Sequence, residues 1–422
     1  MARLENINYV PHRAVVLENA VEWVRESGVP ALSCLPQIFW KNGMPWAEAN
    51  HWALDKARFA YVKLNTVQNL MGHLHKYASW LEQEQVDWRH FPPRRSDRVL
   101  VRFRGALIVA RNAGHISPST TTARMRAVIQ FYRHCSSYNF VSRDAPKWTD
   151  KQIVVRFFDS CGFERTLQRL STDISIPNRA RLGFRLEDGL LPIRSDHQTQ
   201  LLRFTSENAS EELHLMHMAG FFTGARSGTI TTLRVQSLEN ATPDIQASGM
   251  WNIRVGPGTM VTTKFDVSGT LLVPDQLMQE LKRYAYSSRR VKRVEKAAKE
   301  NKSLLFLTSF SNPYKPTAIS REMVALRRRA TKAGLKFMTK FRFHQTRATF
   351  GTWLMSIALS VPNVSMKAAI EFVRNALLHK HESTTMLYIK FLEHTEAKIE
   401  VANAFSKAFI GIESRLGDGK RA

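Results

Sequence analysis

Cysteine is scarce in this sequence, which holds only three among 422 residues: Cys34, Cys135 and Cys161. An odd number without a Cys-x-x-Cys pair excludes a disulfide framework and a cysteine-based zinc site, and it favours a reducing compartment. Long apolar runs are also missing, because no stretch approaches the ~18 residues of a membrane span and the N-terminal segment carries acids inside every apolar stretch. The sequence therefore predicts a soluble, cytoplasmic protein with no membrane partner.

Acidic residues are much fewer than basic ones in this sequence. The chain has 36 Asp and Glu against 61 Lys and Arg, which gives a formal net charge of +25. Phosphate contacts release counterions, so nucleic acid is the partner that this excess favours. A basic protein that is merely soluble, or one associated with the ribosome, is the alternative. The hydrophobic fraction of 44% is that of a folded protein, and the length suggests two to three domains.

Motifs of nucleotide and metal chemistry are absent as well. The sequence has no GxxxxGKS/T, no HExxH and no paired Cys/His spacing, and its Gly256-Pro-Gly258 segment falls in a predicted hairpin. We therefore predict neither a cofactor nor a metal ion. Scattered Asp and Glu residues leave a metal-dependent transposase open, although nothing in the sequence favours one.

Helical periodicity begins near residue 60. Asn65 and Gln68 are predicted to cap one helix, and Ser117, with Pro118 at the first helical position, begins another. Apolar residues follow at three- and four-residue spacing in both segments, which is typical of core-facing stripes. The stripes are Val67, Leu70, Met71, Leu74, Ala78 and Leu81 in the first helix, and Met125, Val128, Ile129 and Tyr132 in the second.

The opposite face of the second helix is rich in hydroxyls and arginines, which together suit phosphate oxygens. Taken alone, this stretch also fits an ordinary solvated helix face. The DNA contacts predicted on it are Arg124, Arg126 and Arg133.

Short β-branched runs punctuated by Gly and Pro over residues 230–275 predict a small antiparallel sheet with hairpins, and helical patterns return from 276. The predicted fold class is therefore mainly α with a small antiparallel β-sheet. The predicted organisation is an N-terminal arm of unknown role at 1–58 with one helix near 14–26, a helical module at 59–145, a linker at 146–189, a second domain at 190–412 and a flexible tail at 413–422.

Two clusters of basic residues lie in the second domain. Residues 282–302 hold nine Lys and Arg against two acids, and residues 321–342 hold eight against one. Such runs are usually solvated faces, but two in one domain of a strongly basic chain favour a DNA-facing surface. They are poor in Asn and Gln, which pair with adenine edges, so they are predicted to hold the DNA backbone rather than to read sequence. The contacts named in the first cluster are Arg289, Arg290 and Arg293.

Six residues of the second domain indicate a function only when they are considered together, in their order along the chain. Singly, each has an ordinary structural explanation, such as a buried ion pair, a solvated lysine or a core tyrosine. Arg226 follows Thr-Gly-Ala, Lys264 precedes a turn between two strands, and an HxxR pair and an LLH…STTMLY segment come later. This order resembles the tyrosine recombinase (phage integrase-like) family. The matching residues are Arg226, Lys264, His344, Arg347, His379 and Tyr388.

The resemblance implies a role for each residue. Arg226 and Arg347 would be the two catalytic arginines, Lys264 the hairpin lysine, His344 and His379 the histidines, and Tyr388 the nucleophile. Two arginines can neutralise the charge on a pentacoordinate phosphorus, and a tyrosine can hold the broken strand covalently without ATP. The chain departs from the family pattern at four supporting positions: Thr229, Thr346, Ala348 and, in place of a glycine, Leu378.

The function that the resemblance implies is a site-specific DNA recombinase or integrase working through a 3′-phosphotyrosine intermediate. Its catalytic domain would be 190–412, and residues 59–145 would be a core-binding domain that clamps double-stranded DNA. Such enzymes generally act as homotetramers on paired DNA sites, which for this chain implies association with the nucleoid. A type IB topoisomerase-like enzyme and a non-catalytic DNA-binding protein with the same fold are the alternatives.

The segment after Tyr388 is predicted to form a short amphipathic helix at 395–412, which must bury its stripe on another surface because it is too short to be stable alone. A neighbouring protomer is the favoured surface, since related recombinases couple their sites in this way, and the chain's own catalytic domain is the alternative. The stripe consists of Ile399, Ala402, Phe405, Phe409 and Ile412.

Overall fold

The computed structural model describes residues 1–18, 20–59, 62–158, 164–178, 186, 189–396 and 399–400. The chain divides into two units, Met1–Leu182 and Gly183–Ala422. Among the described residues, no helix combines the length and the apolar character needed to cross a membrane.

Four helices and a two-stranded sheet share the core of the first unit. The predicted stripes are confirmed, since Val67, Met71 and Leu74 are buried against Met125 and Val128. The helices are α1 (Ala47–Arg58), α2 (Leu64–Glu84), α3 (Val99–Asn112) and α4 (Pro118–Ser137).

The two predicted helix starts have different outcomes. Ser117 caps α4 as predicted, because its hydroxyl accepts a hydrogen bond from the Thr120 amide at 3.2 Å and Pro118 occupies the first turn. The capping pair predicted for α2 is wrong. That helix begins at Leu64, one residue before Asn65, and it has no side-chain cap. Gln68 instead donates to the Cys34 carbonyl at 2.9 Å, outside the helix.

The N-terminal 58 residues contain strands rather than the helix predicted near 14–26. In the structure, β2 (His12–Val16) pairs with β3 (Val21–Arg25) as an antiparallel hairpin, so that prediction is wrong. The physical reason is a high density of Val and Trp, which are residues that favour extended backbone. The first strand, β1 (Arg3–Tyr9), pairs with β4 (Leu32–Phe39).

The predicted N-terminal arm shares the core of the helical module. Leu35 and Ile38 of β4, with Trp46 and Trp52, are buried in the same apolar cluster as Phe131 of α4. The segment predicted as a linker contains an antiparallel hairpin, β5 (Asp150–Phe158) and β6 (Glu164–Thr172).

The second unit is mainly helical around a small antiparallel sheet, as predicted for residues 230–275. Its sheet has the order β7 (Thr242–Pro243), β8 (Met250–Val255) and β9 (Gly269–Pro274). The helices before the sheet are α5 (Ser195–Asn208), α6 (Glu211–Thr223), α7 (Ser227–Thr231) and α8 (Val235–Glu239). Those after it are α9 (Asp275–Ala285), α10 (Ser288–Lys296), α11 (Pro316–Lys332), α12 (Gln345–Ser360), α13 (Met366–Ala376) and α14 (382–396).

Most of the predicted tail helix at 395–412 lies outside the described residues, as does the predicted flexible tail at 413–422. Ile399 is the one stripe residue that the structure describes, and its side chain is exposed.

Two arginines of the first basic cluster neutralise a buried carboxylate. Glu212 of α6 is inaccessible to solvent, and it accepts hydrogen bonds from Arg289 Nε at 2.7 Å and from the Tyr284 hydroxyl at 2.9 Å. Arg293 Nη1 lies 2.9 Å from the same carboxylate. Burial by itself raises the pKa of Glu212, but the Arg289 hydrogen bond and the Arg293 charge outweigh it, so the pKa lies below its ordinary value.

Arg290 is itself part of the interior. It is 7% exposed and donates to the carbonyls of Leu304, Leu305 and Ala285, and burial lowers the pKa of its guanidinium. The DNA contact predicted for Arg290 is therefore wrong. Arg289 and Arg293 are paired with Glu212, and the DNA contacts predicted for these two arginines stay predictions. A carboxylate buried away from water is strongly destabilising unless cations pair with it, and these arginines supply that charge.

The three arginines predicted on α4 have different surroundings. Arg126 is exposed, whereas Arg124 is half-buried and burial lowers the pKa of its guanidinium. Arg133 lies 3.4 Å from Asp150 of β5, in an exposed ion pair of the kind that contributes little to stability. Only Arg126 is thus openly presented on this face.

Glu212→Gln tests the buried ion cluster. We expect a loss of about 3 kcal/mol of unfolding free energy for the second unit at neutral pH, because two guanidiniums then face an uncharged amide. The folded-state pKa of Glu212 is lowered, so its stabilisation is complete above the ordinary glutamate pKa and disappears as the pH falls through the lowered value. The deficit of the variant should be constant from about pH 8 to about pH 5 and should narrow in more acidic solution.

Urea denaturation, probed by pulsed hydrogen exchange of the α6 peptide, measures this difference. The matched control is Glu280→Gln, which removes an exposed ion pair with Arg283 on α9. We expect the control to cost less than about 1 kcal/mol. Equal losses of unfolding free energy in the two variants would show that the buried Glu212 cluster contributes no more to stability than an exposed ion pair.

Candidate active site

A small pocket in the second unit brings together residues from three distant parts of the chain. Its volume is about 180 Å³, and three of the predicted catalytic residues meet there: Arg226, Lys264 and His379. The remaining lining residues are Phe265, Leu378, Lys380, His381 and Thr384. Two lysines, an arginine and two histidines make the pocket suited to an anion.

Arg226 is placed by a helix ending. Gly224 follows the last residue of α6 in the left-handed conformation, with φ 64°, and a Cβ at this position would overlap the side chains of Phe350 and Leu377. Glycine is therefore required both for the backbone and for the close packing. The chain turns at this point, and Arg226 becomes the half-buried residue that precedes α7.

Arg347 lies behind the pocket rather than in its lining. It is 2% exposed, and it donates from Nη1 to the Gly224 carbonyl at 2.7 Å and from Nη2 to the Leu377 carbonyl at 2.6 Å. One guanidinium thus ties together the two turns that carry Arg226 and His379. His344 lies one helical turn earlier, at the start of α12, and is half-buried.

A helix C-terminus places His379. The Leu378 amide donates to the Asn375 carbonyl at 3.1 Å, and the His379 amide donates to the Arg374 carbonyl at 3.0 Å. These two bonds form a Schellman motif, in which the residue after the C-cap adopts the left-handed conformation. Leu378 does so with φ 51°, which explains why a glycine is usual at this point of the family pattern.

Leu378 is tolerated there because its side chain has a place to pack. It covers Gly269 at the start of β9, where any Cβ would overlap it, and it lies against the main core of the unit. Apolar burial offsets the cost of roughly 1–2 kcal/mol for a left-handed leucine. The departure from the family pattern thus preserves the position of His379.

The Ser383-Thr384-Thr385 segment also contacts His379. The Oγ1 atom of Thr385 lies 2.8 Å from Nδ1 of His379, whereas Thr384 lines the pocket. Tyr388 follows one turn later on α14 and is completely buried, and its ring centroid lies 6.1 Å from that of His379. Gly351 of α12 faces the tyrosine ring, because a Cβ at Gly351 would overlap it.

Lys264 comes from the connection between β8 and β9, as the turn after the strand predicted. It is exposed, and its ammonium nitrogen lies 5.4 Å from the ring centroid of Phe265. Sequence reasoning missed Phe265, Lys380 and His381, which line the same pocket. Each lies one or two positions after a motif residue, but neither periodicity nor spacing distinguishes it from an ordinary surface residue.

One family profile covers the part of the chain that forms this pocket. The sequence profile of the Phage integrase family matches residues 193–394, a segment that contains all six predicted catalytic residues. No individually curated protein matches the chain.

The solved structures that align with this chain include recombinases and integrases. A Tn1549 transposon integrase variant in complex with a circular intermediate DNA is 12% identical with a TM-score of 0.50, and the alignment covers 83% of this chain and 99% of that one. A lambda integrase dimer bound to a COC′ core site is 11% identical, with a TM-score of 0.49 and coverage of 81% and 94%. XerA recombinase is 14% identical, with a TM-score of 0.34 and coverage of 83% and 96%.

At such low identity, a TM-score of 0.50 shows a shared fold and nothing finer. The profile match adds that residues 193–394, about half of the chain, resemble the phage integrase family.

Proposed function

We propose that the chain is a site-specific recombinase that cleaves DNA with Tyr388 and rejoins it through a 3′-phosphotyrosine intermediate. The observation that carries this proposal is the meeting of Arg226, Lys264 and His379 at one pocket, with Tyr388 buried beside His379. The three pocket residues are contributed by the α6–α7 turn, the β8–β9 connection and the end of α13, and Tyr388 lies on α14.

Tyr388 is buried in this conformation, so in the proposed reaction its side chain first leaves the core to reach the phosphate. The Tyr388 oxygen then attacks the scissile phosphorus while the bond from phosphorus to the 5′-oxygen breaks. Arg226 contacts the non-bridging oxygens from the pocket, and Arg347 is the second arginine, held in orientation by its two carbonyl contacts. The two guanidiniums would offset the negative charge that builds up on phosphorus. The energy of the broken bond is kept in the phosphotyrosine link, so resealing requires no ATP.

Two protons move in this step. The tyrosine hydroxyl loses one to a base, for which His379 and His344 are the candidates, and the departing 5′-oxygen gains one from Lys264. The contact between His379 and Thr385 fixes the orientation of the imidazole ring. On religation, the 5′-hydroxyl attacks the phosphotyrosine and the protons return along the same path.

Double-stranded DNA is the proposed partner, and the surface of α11 supports it. Arg321, Arg328, Arg329 and Lys332 are exposed on this helix, and none of them has an ion-pair partner among the residues that the structure describes. These four residues are called the α11 basic face. We take this face, rather than the α10 arginines, as the backbone contact of the second unit, because the α10 arginines already bind Glu212 or backbone carbonyls.

We further propose the domain roles implied by the family. Residues 59–145 would clamp the duplex, 146–189 would link the domains, and 190–412 would catalyse, acting in homotetramers on paired DNA sites in the cytoplasm, at the nucleoid. The exposed Arg126 of α4 supports the clamp, because it offers a phosphate contact within 59–145.

The nucleophile is tested with a covalent-adduct assay on a nicked duplex chosen from a random-sequence pool by its binding to the protein; this is called the selected duplex. Wild type should form an adduct in excess chelator, because arginine and lysine supply the charge that a metal would otherwise supply. Tyr388→Phe should form none, since only the attacking hydroxyl is removed. The matched control, Tyr286→Phe, alters an exposed tyrosine on the same unit and should react normally. An adduct that persists in Tyr388→Phe, or one that needs added Mg²⁺, contradicts the proposal.

The general acid is tested with a substrate in which sulfur replaces the bridging 5′-oxygen of the scissile phosphate. The scissile phosphate is identified by mapping the adduct that wild type forms. A thiolate leaves with little protonation, so Lys264→Ala should cleave the sulfur substrate nearly as fast as wild type while losing about 10²–10⁴-fold on the oxygen substrate. Lys292→Ala removes an exposed lysine of α10 and should affect neither substrate. Equal defects on both substrates would assign protonation to another residue.

The α11 basic face is tested by reversing Arg328 and Arg329 to Glu. Affinity for the selected duplex and for unrelated duplexes should fall by the same factor, because backbone contacts carry no sequence information. The slope of log affinity against log salt should become shallower by about 0.9 for each phosphate that the variant no longer neutralises. Filter binding at several salt concentrations measures both quantities. A changed sequence preference at unchanged affinity would show that these residues read bases.

A further inference from the structure

An exposed aromatic ring lies between two lysines at the pocket. Phe265 is 62% exposed, and the ammonium nitrogens of Lys264 and Lys380 lie 5.4 Å and 5.9 Å from its ring centroid. Both distances are within the range of a cation–π interaction. All three residues line the candidate pocket. A single ring is thus in contact with cations from two separate elements, the β8–β9 connection and the segment after α13.

The backbone at Phe265 is held in an unfavourable conformation. Phe265 and Asp266 have φ values of 64° and 53°, so two consecutive residues other than glycine are left-handed. Each costs roughly 1–2 kcal/mol, and such strain persists only where neighbouring structure enforces it. Here the Thr263 hydroxyl donates to the Val267 carbonyl at 2.8 Å across the turn, and the same carbonyl packs so closely on Gly256 that a Cβ there would overlap it.

The result of this strain is the placement of the ring. Consecutive left-handed residues are common in tight hairpin turns, but glycine, asparagine or aspartate usually occupies these positions. Phenylalanine has no intrinsic preference for the left-handed region, and an exposed phenylalanine gains little from burial in return. What the conformation does provide is a π face directed at both ammonium groups. The strain therefore points to a task for the side chain rather than to a packing requirement.

We infer that Phe265 is a positioning residue, which holds the ammonium groups of Lys264 and Lys380 at the pocket so that Lys264 meets the departing 5′-oxygen. This inference rests on the proposed role of Lys264. An aromatic ring suits the task better than a carboxylate, because it attracts a cation without neutralising it. The pocket thus keeps its full positive charge for the phosphate, and the attraction grows as DNA displaces water from the ring.

The test compares cleavage of the oxygen and sulfur substrates by four variants. Phe265→Leu keeps an apolar side chain but removes the π face, and we expect it to slow oxygen cleavage about tenfold while sparing sulfur cleavage. Phe265→Tyr keeps the ring and should restore most of the rate. Phe310→Leu is the matched control, because Phe310 is 84% exposed and does not line the pocket. It should match wild type on both substrates.

The fourth variant combines Phe265→Leu with Lys264→Ala. If the ring acts only through Lys264 in this step, the double variant is no slower on the oxygen substrate than Lys264→Ala alone. An additive defect, or an equal loss on both substrates with weaker binding to the selected duplex, would mean that Phe265 contacts DNA directly and would overturn the inference.

The two proposals fail in different ways. If sulfur does not rescue Lys264→Ala, the assignment of Lys264 as general acid is wrong, and the positioning role falls with it. If sulfur rescues Lys264→Ala but not Phe265→Leu, the general acid stands and only the inference on Phe265 is wrong.

Discussion

The candidate site depends on the two hydrogen bonds that the buried guanidinium of Arg347 donates to backbone carbonyls. Gly224 and Leu377 end helices that are far apart in the chain, and each is followed within two residues by a pocket residue, Arg226 or His379. A charged group with 2% exposure is costly unless its hydrogen bonds are made, so these contacts strongly favour one relative position of the two turns. The same side chain that the family pattern assigns to catalysis therefore also assembles the pocket.

Close packing around this guanidinium explains which sequence departures are tolerated. Leu378 replaces a glycine in a left-handed position, yet it keeps the Schellman hydrogen bonds that place His379 because its side chain packs over Gly269. Gly224 and Gly351 have no such freedom, since a Cβ at either position would overlap a buried side chain. A residue other than glycine is thus tolerated where its side chain can pack against the core without overlapping a buried side chain.

Charge in the second unit is divided between structure and function. The chain carries a large excess of cations, but Arg289 and Arg293 are held by Glu212 and Arg290 by backbone carbonyls. The exposed arginines of the α11 basic face remain available to a polyanion. A basic run in a sequence therefore overstates the surface that can contact DNA, because the interior of the protein uses part of it.

Local interactions determined what the sequence predicted correctly. The cap at Ser117, the stripes of α2 and α4 and the antiparallel sheet within 230–275 all follow from neighbours a few positions apart. The six motif residues, in contrast, were identified by their resemblance to a family. The hairpin at His12–Arg25 could have been predicted from local preference as well, since its Val and Trp residues favour strands. The helix start at Leu64 could not, because no capping side chain marks it. Tertiary structure alone decided that Arg289 pairs with Glu212, 77 positions away, and that Phe265 meets Lys380. No local pattern encodes such pairs, because they are selected by the burial of a charge and by the approach of two distant turns.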